Sequence, residues 1–499
     1  MKRFLTITFI VLFMLLGMAL NVQAAEVTTW TGLVEELANG TDTEVTLTTT
    51  VSVEDTQTLK LNGKKLTLKD SLVVDGGKLT ITGNGTIVTA EADPLINVKN
   101  GGTLILENGT YEVTTYYGAA IQMTGAAIDT EVKTKVEIGK DASITANYPV
   151  FIPKQGAFGV VVDVYGKLRS VPTVHPTTGK VQYGAALYIN GQITATTGNI
   201  PVINVYEGAT VLGEETEAIY AAGYGIWNIF GGYFEGTDAI SIKGGEFNIT
   251  GGTFKAYGEF DPDPAPNNNG SEATGSAISV TGNDGYAGKV KLNISNATVI
   301  SENGYAVYET ITKAVQPAVE SMTITSGDFS GKEGAIQADN VEDFIEGGTF
   351  SSEVDEKYLS SEVESTKENG TVLVGTKHTI EVKDTTNGTV TSSLAEAIKG
   401  QTVTLAAIPK DGYKLKNLTV ITVADSKVEV VDGKFVMPDM GVIVTAEFEE
   451  VPAVAEPQPE EKDETPKMGA MNVSYVWIAL ATIALVGIAT TKKVSKHSK

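Results

Sequence analysis

The chain has no cysteine, only two arginines (Arg3 and Arg169) and only three histidines in 499 residues. Without cysteine there is no disulfide, no thiol nucleophile and no Cys-ligated zinc. His175 lies in a Pro-flanked loop, His378 opens a separate unit and His497 sits in a basic tail. None stands at a recognisable spacing from a Ser and an Asp, so no Ser–His–Asp triad is indicated. Positive charge is scarce too. The formal net charge is −24, and removing Lys2, Arg3 and the four tail lysines leaves −30 on the part between. Such a surface repels nucleic acid and anionic polymers, and the sequence holds no basic patch to reverse this. Long apolar runs occur only at the two ends. Stability must therefore come from one large core, which roughly 440 residues between those ends can build.

At the N-terminus, Lys2 and Arg3 precede the apolar stretch Phe4 to Leu20, and Val22-Gln23-Ala24 supplies a small-x-small cleavage site. That order predicts a secretory signal peptide over residues 1–24, with the exported chain starting near Ala25. At the C-terminus, residues 473–490 form an uncharged apolar run followed by Lys492, Lys493, Lys496 and Lys499. At ~1.5 Å rise per residue such a run can cross a bilayer as a helix, with the lysines on the cytoplasmic side. Before it, residues 450–467 are acidic and Pro-rich, which predicts an extended, disordered spacer.

The C-terminal 465–499 resembles the sorting signal of Gram-positive surface proteins. There a short L-P-x-T-G motif is cut by a sortase and joined to peptidoglycan. Here the motif reads Thr465, Pro466, Lys467, Met468, Gly469. Pro466 and Gly469 match, whereas Thr465 replaces the usual Leu and Met468 the usual acyl-forming Thr. The resemblance implies display on the cell surface, either wall-bound through a sortase or held in the membrane by helix 473–490.

Between the ends, residues 31–39 (TGLVEELAN) read as a short amphipathic helix stopped by Gly40, inside a helical cap spanning 25–44. From residue 45 to 375 the pattern changes to short alternating strands broken by Gly and Asn. A template Φ-x-Φ-x-small-small-x-Φ, with Φ apolar, fits Leu104/Leu106/Tyr111, Trp227/Ile229/Phe234, Phe247/Ile249/Phe254, Leu292/Ile294/Val299 and Met322/Ile324/Phe329. A second marker, Ala followed by an aliphatic residue, recurs at Ala218, Ala239, Ala277, Ala306 and Ala335, with spacings of 21, 38, 29 and 29. Repeats of this length with glycine corners predict an all-β solenoid, a parallel β-helix with alternate apolar side chains inside. About a dozen rungs at ~4.8 Å each would give a rod about 55–60 Å long. By resemblance to the pectate-lyase-like superfamily the helix is right-handed. The long interval after Ala239 fits a loop, Glu259 to Thr274, extruded from the stack. Residues 376–449, with Thr379 to Val382, Gly400 to Ala407, Pro409 to Tyr413 and Phe435 to Pro438, resemble the divergent bacterial repeat related to the internalin B-repeat, a small β-rich module of surface-protein stalks.

The fold resemblance raises the question of a polysaccharide lyase or hydrolase. Lyases of that group use clustered Asp with calcium and a basic residue on one outer sheet. This chain offers only Arg169, beside Lys167, and no Asp pair recurs on neighbouring rungs. No catalytic set, cofactor or metal ligand is therefore assigned. The oxygens of Asp261, Asp263 and Asn267 to Asn269 do not have EF-hand spacing and read as a solvated loop. In the aromatic stretch Tyr220 to Phe234, the template places Trp227 and Phe234 in the core. Tyr224, Phe230 and Tyr233 remain as candidate outer-face contacts for a ligand. The reading is a non-enzymatic surface protein, an adhesin or ligand-binding rod for a host or glycan ligand. The alternative is a surface-anchored carbohydrate-active enzyme or glycan-binding module. On this pattern Ile249→Asp should destabilise strongly and Asn248→Asp should be nearly neutral.

Overall fold

The computed structural model describes residues 24–452 except 126–130, 154–158, 191–199, 264–265, 268–269, 272, 282–288 and 311–317. The signal peptide, the sorting motif Thr465 to Gly469 and the apolar run 473–490 lie outside the described residues. Among those described, no helix is long and apolar enough to cross a membrane.

Apart from short helical segments the described residues are all-β, and their long sheets are parallel in a way compatible with a β-helix. One turn illustrates the path: Ile219–Ala221, then Ile226–Ile229, then Tyr233–Gly236, before Ile240–Ile242 pairs in parallel with the strand that began the turn. Each strand meets its equivalent in the next turn, which produces three stacks. The Ile219 strand belongs to an 11-stranded sheet, and the other two stacks are joined into a 23-stranded sheet. The joining is covalent. The strands Thr103–Val113 and Thr134–Ala146 run unbroken from one stack into the next.

Register follows the sequence template. Trp227, Phe247, Leu292 and Met322 lie on one line, as do Ile229, Ile249, Ile294 and Ile324. Phe234, Phe254, Val299, Phe329 and Phe350 form another. All are buried. Stacking equivalent residues puts like rings face to face: Trp227 on Phe247 with centroids 5.4 Å apart, and Phe234 on Phe254 at 4.7 Å, each pair within 7° of parallel. The alanine markers all reach the core as well. At the corner, Gly232 and Gly252 adopt φ of +105° and +106°, so a side chain there would be strained. In the next turn the positive φ falls to Asn296, the residue that tolerates it best after glycine.

The first turn is covered by the helix Trp30–Asn39. Thr29 caps it by accepting the Gly32 N–H at 3.1 Å, and Leu33 and Leu37 are buried against the strands. At the far end, Thr371–Gly375 pairs antiparallel with Gly348–Phe350 and with Glu364–Glu368, so the parallel stacking stops there. Residues 377–450 then build a small β unit on its own core of Ile380, Val403, Val420, Phe435 and Val444, among others.

The outward positions carry a correction. Asn204, Asn228, Asn248 and Asn293 are in register on the outer side of one stack, and each amide donates to the carbonyl of the one before at 3.0 to 3.2 Å. The ladder ends where Asn204 donates to Asp163 Oδ1 at 2.8 Å. Asn248 is thus half-buried and bonded on both sides, not a free outward residue. In Asn248→Asp the donor to Asn228 is replaced by an oxygen facing an oxygen. We expect a loss of about 1–2 kcal/mol in chemical denaturation, with no loss in the isosteric control Thr298→Val on the neighbouring stack. Equal midpoints for wild type and Asn248→Asp would show that the ladder contributes nothing.

Candidate functional site

Where the turns of a parallel stack place one residue type repeatedly on the outside, they build a continuous surface feature. On the 11-stranded sheet the residue between two inward-facing aliphatic positions points outward. Over three consecutive turns these are Phe151, Tyr188 and Tyr220, in direct register. Phe151 and Tyr188 stack at 5.2 Å, and Tyr220 follows Tyr188 at 5.4 Å. Tyr148, at the head of its strand, leans on both Phe151 and Tyr188 at 5.7 Å. The sheet therefore carries an aromatic floor outside the core.

Beside this floor lies a pocket of about 380 Å³, walled by Tyr117, Tyr148, Tyr183, Tyr188, Tyr220 and Glu217. Lys180, Val181 and Gln182 also line it, and the strand Val181–Gln182 pairs antiparallel with Thr173–Val174. That pair is held to the floor by Gln182, whose amide donates to the Tyr148 hydroxyl at 3.2 Å and to the Tyr183 carbonyl at 2.8 Å. Tyr117 is tied to the same hairpin, its N–H reaching Thr173 Oγ1 at 3.4 Å. The rings differ in access. Tyr188 and Tyr220 are 8% exposed, whereas Tyr117 and Tyr183 are each 47% exposed. Two open rings thus stand over a closed aromatic base. Burial pushes the Tyr148 hydroxyl up to about 12, so it remains a neutral donor and acceptor at any physiological pH.

Beside the pocket sits a group of three ionisable residues, two of them buried and the third, Glu217, half-buried at the pocket wall. Asp238 and Lys243 are buried, and Lys243 Nζ lies 5.9 Å from the centroid of the Tyr220 ring. Asp238 accepts from Ser279 Oγ at 2.6 Å, Gly275 N at 2.7 Å, and Thr274 N and Oγ1 at 3.2 Å. It thereby fixes the C-terminal base of the 259–274 loop to the sheet. Lys243 donates to Thr281 Oγ1. Glu217, which lines the pocket, accepts from Thr216 Oγ1 at 2.9 Å, and its charge acts on both Asp238 and Lys243. Burial, reinforced by Glu217, raises the Asp238 carboxyl to about 6, and burial lowers the Lys243 ammonium to about 8.

These shifts set a pH dependence. The Asp238 carboxyl titrates near 3.8 when unfolded and near 6 when folded. Its proton therefore stabilises the native state fully below about pH 4, and that contribution is lost as pH rises through 6. Lys243 acts in a different window, between about 8 and 10.5, where stability falls as pH falls. We expect wild type to gain on the order of 1–3 kcal/mol relative to Asp238→Asn when pH drops from 6 to 4. A pH-independent difference between the two would place the Asp238 proton elsewhere.

The aromatic residues singled out in the sequence fall in other places. Trp227 and Phe234 are fully buried, as the template required. Tyr224 is also buried, 6% exposed, and donates to Glu246 Oε1 at 2.9 Å. It is a structural residue of the sheet margin, which removes it from the outer-face candidates. Phe230 is exposed and extends a stack of Tyr165 and Tyr206 along a corner, with centroids 4.2 and 5.2 Å apart. Tyr233 is half-buried and bonds Glu235. The pocket tyrosines are scattered along the sequence, at 117, 148, 183, 188 and 220, and form no dense stretch. The available signal was aromatic residues at equivalent alternate positions of successive turns, at 151, 188 and 220. Arg169 pairs with Glu214. Asp261 and Asp263 are at the surface, and among the described residues no cluster of His, Asp and Glu could hold a metal ion.

With this geometry in place, the comparisons with known proteins concern the other end of the chain. Residues 378–452 match the family model of the divergent InlB B-repeat domain. The match coincides with the separate β unit described above, within three residues of the limits read from sequence. No curated protein and no solved structure matches the chain. The repeat is typical of bacterial surface proteins, and it is the part of the chain that comparison supports.

Proposed function

We propose that the chain is a non-enzymatic bacterial cell-surface protein, an adhesin or ligand-binding rod. In this reading a right-handed, pectate-lyase-like β-helix stands on the InlB-B-repeat-like unit and the acidic spacer. Its C-terminus is held in peptidoglycan by a sortase or in the membrane by residues 473–490. The observation that carries the binding role is the tyrosine pocket on the outer face of the 11-stranded sheet. Among the described residues the carboxylate lining that pocket is Glu217, whereas glycoside hydrolysis draws on two carboxyl groups about 5–10 Å apart across the scissile bond. The match at 378–452 supports surface display. The binding role is tested by adhesion of displaying cells, which Tyr183→Ala should weaken and Thr298→Val should leave intact. Adhesion insensitive to Tyr183 would remove the pocket from the account.

Anchoring has its own expected result. Met468 in place of a β-branched hydroxyl residue slows acyl transfer, so wall attachment should be partial. Part of the protein should resist hot detergent and leave only after muramidase digestion, with the remainder in the membrane fraction. Complete detergent extraction from a sortase-positive host would leave a membrane anchor alone. Secretion with the tail intact would contradict both forms.

A further inference from the structure

We infer that the tyrosine pocket takes a neutral pyranose ring, as the end or a single residue of an uncharged saccharide. The inference rests on the pocket being the ligand site. Its volume, about 380 Å³, lies near the lower end of the ~300–1,000 Å³ typical of small-molecule sites, so it suits a compact group rather than a long chain. The lining is mixed. Tyr117 and Tyr183 are each 47% exposed and offer aromatic surface, while Glu217, Gln182 and Lys180 supply polar groups at the edge. A ligand apolar all round would strip water from Glu217 and Gln182 without replacing its hydrogen bonds. A pyranose has an apolar C–H face and an equatorial ring of hydroxyls, which meets both requirements at once.

Charge narrows the class. An acidic saccharide would approach Glu217 with Lys180 as the cation in the lining among the described residues, on a chain whose net charge is strongly negative. A quaternary ammonium group needs several ring faces converging on one point. Here the base is already committed, because Tyr188 stacks with Phe151, Tyr148 and Tyr220. Two open rings and a polar edge remain, which is a stacking site and not a cage.

A second observation points to the same place. Tyr117 has φ of +62°, in the left-handed region that a bulky side chain rarely occupies. The residue is 47% exposed, so core packing does not require it there. The strained backbone holds the ring at the mouth of the pocket.

The test uses the purified full chain against immobilised neutral, acidic and amino saccharides, a choline-bearing probe and a proline-rich peptide. Wild type should bind neutral hexose-containing saccharides. Tyr183→Ala should weaken binding roughly tenfold. Tyr117→Gly should lose binding while melting no lower than wild type, because glycine relieves the strained φ; this separates loss of the site from loss of the fold. Thr298→Val, an outward position on a neighbouring stack, should bind as wild type. Tyr183-dependent capture of the acidic, choline or peptide probe instead would overturn the saccharide class and leave the pocket standing. Saccharide binding that survives both tyrosine variants would overturn the location. No Tyr183-dependent binding to any probe or displaying-cell target would overturn both.

Discussion

Ile249→Asp is expected to destabilise the protein by about 4 kcal/mol or more, enough to leave much of it unfolded at physiological temperature. Ile249 is 1% exposed and lies in register between Ile229 and Ile294. A carboxylate there has hydrocarbon above and below it and no donor within the line. It must either remain charged at a large desolvation cost or take up a proton and stay unpaired. Because each turn rests on its neighbours, the damage should spread along the stack and lower the cooperativity of unfolding. Chemical denaturation followed by circular dichroism reads this directly. A midpoint within experimental error of wild type would mean that the inward and outward faces are reversed. That outcome would contradict the register of every template residue, Trp227 and Phe234 included.

The second large effect is expected at Asp238→Ala. This carboxylate is fully buried and holds the backbone N–H groups of Thr274 and Gly275 as well as the hydroxyls of Thr274 and Ser279. Removing it leaves two backbone donors buried without an acceptor, at roughly 1–3 kcal/mol each, and takes away a negative charge acting on Lys243. Relief of the Asp238 desolvation offsets part of this, so we expect a net loss of about 3 kcal/mol. The effect should also be local. Limited proteolysis should cut between residues 259 and 274 much faster in the variant than in wild type. Unchanged proteolysis with unchanged stability would show that the loop base is held by other contacts.

Much of this architecture is legible in the sequence because a parallel stack repeats its own constraints. The intervals of 21, 38, 29 and 29 between alanine markers are the strand-pairing intervals of the 11-stranded sheet, from Ile219 to Ile240, Ile278, Val307 and Ile336. The excess in the second interval is the loop whose base Asp238 fastens. The inward positions were readable because apolarity and period two suffice to define them. Outward positions obey a different rule. Asn228, Asn248 and Asn293 look like ordinary solvated residues until the register brings their amides together. Phe151, Tyr188 and Tyr220 lie 37 and 32 residues apart, and only the folded pairing makes them one surface. Tyr224 misled in the opposite sense. Flanked by glycines in an aromatic stretch it reads as exposed, yet the fold buries it with its hydroxyl on Glu246. The buried pair Asp238 and Lys243 was equally hidden, since abundant carboxylates give no one of them a sequence signature.

The most direct test of the central claim, that the outer face of the 11-stranded sheet is the ligand-contact surface, is tyrosine nitration mapped by mass spectrometry on displaying cells. Free protein should be modified at Tyr117 and Tyr183, the two open rings, and scarcely at Tyr188 and Tyr220. On cells adhering to their target, Tyr117 and Tyr183 should be protected, while Tyr413 of the repeat unit and the corner residue Tyr165 should be modified as before. Protection confined to Tyr165 and Tyr206, or equal nitration of Tyr117 and Tyr183 in the free and adherent states, would contradict it.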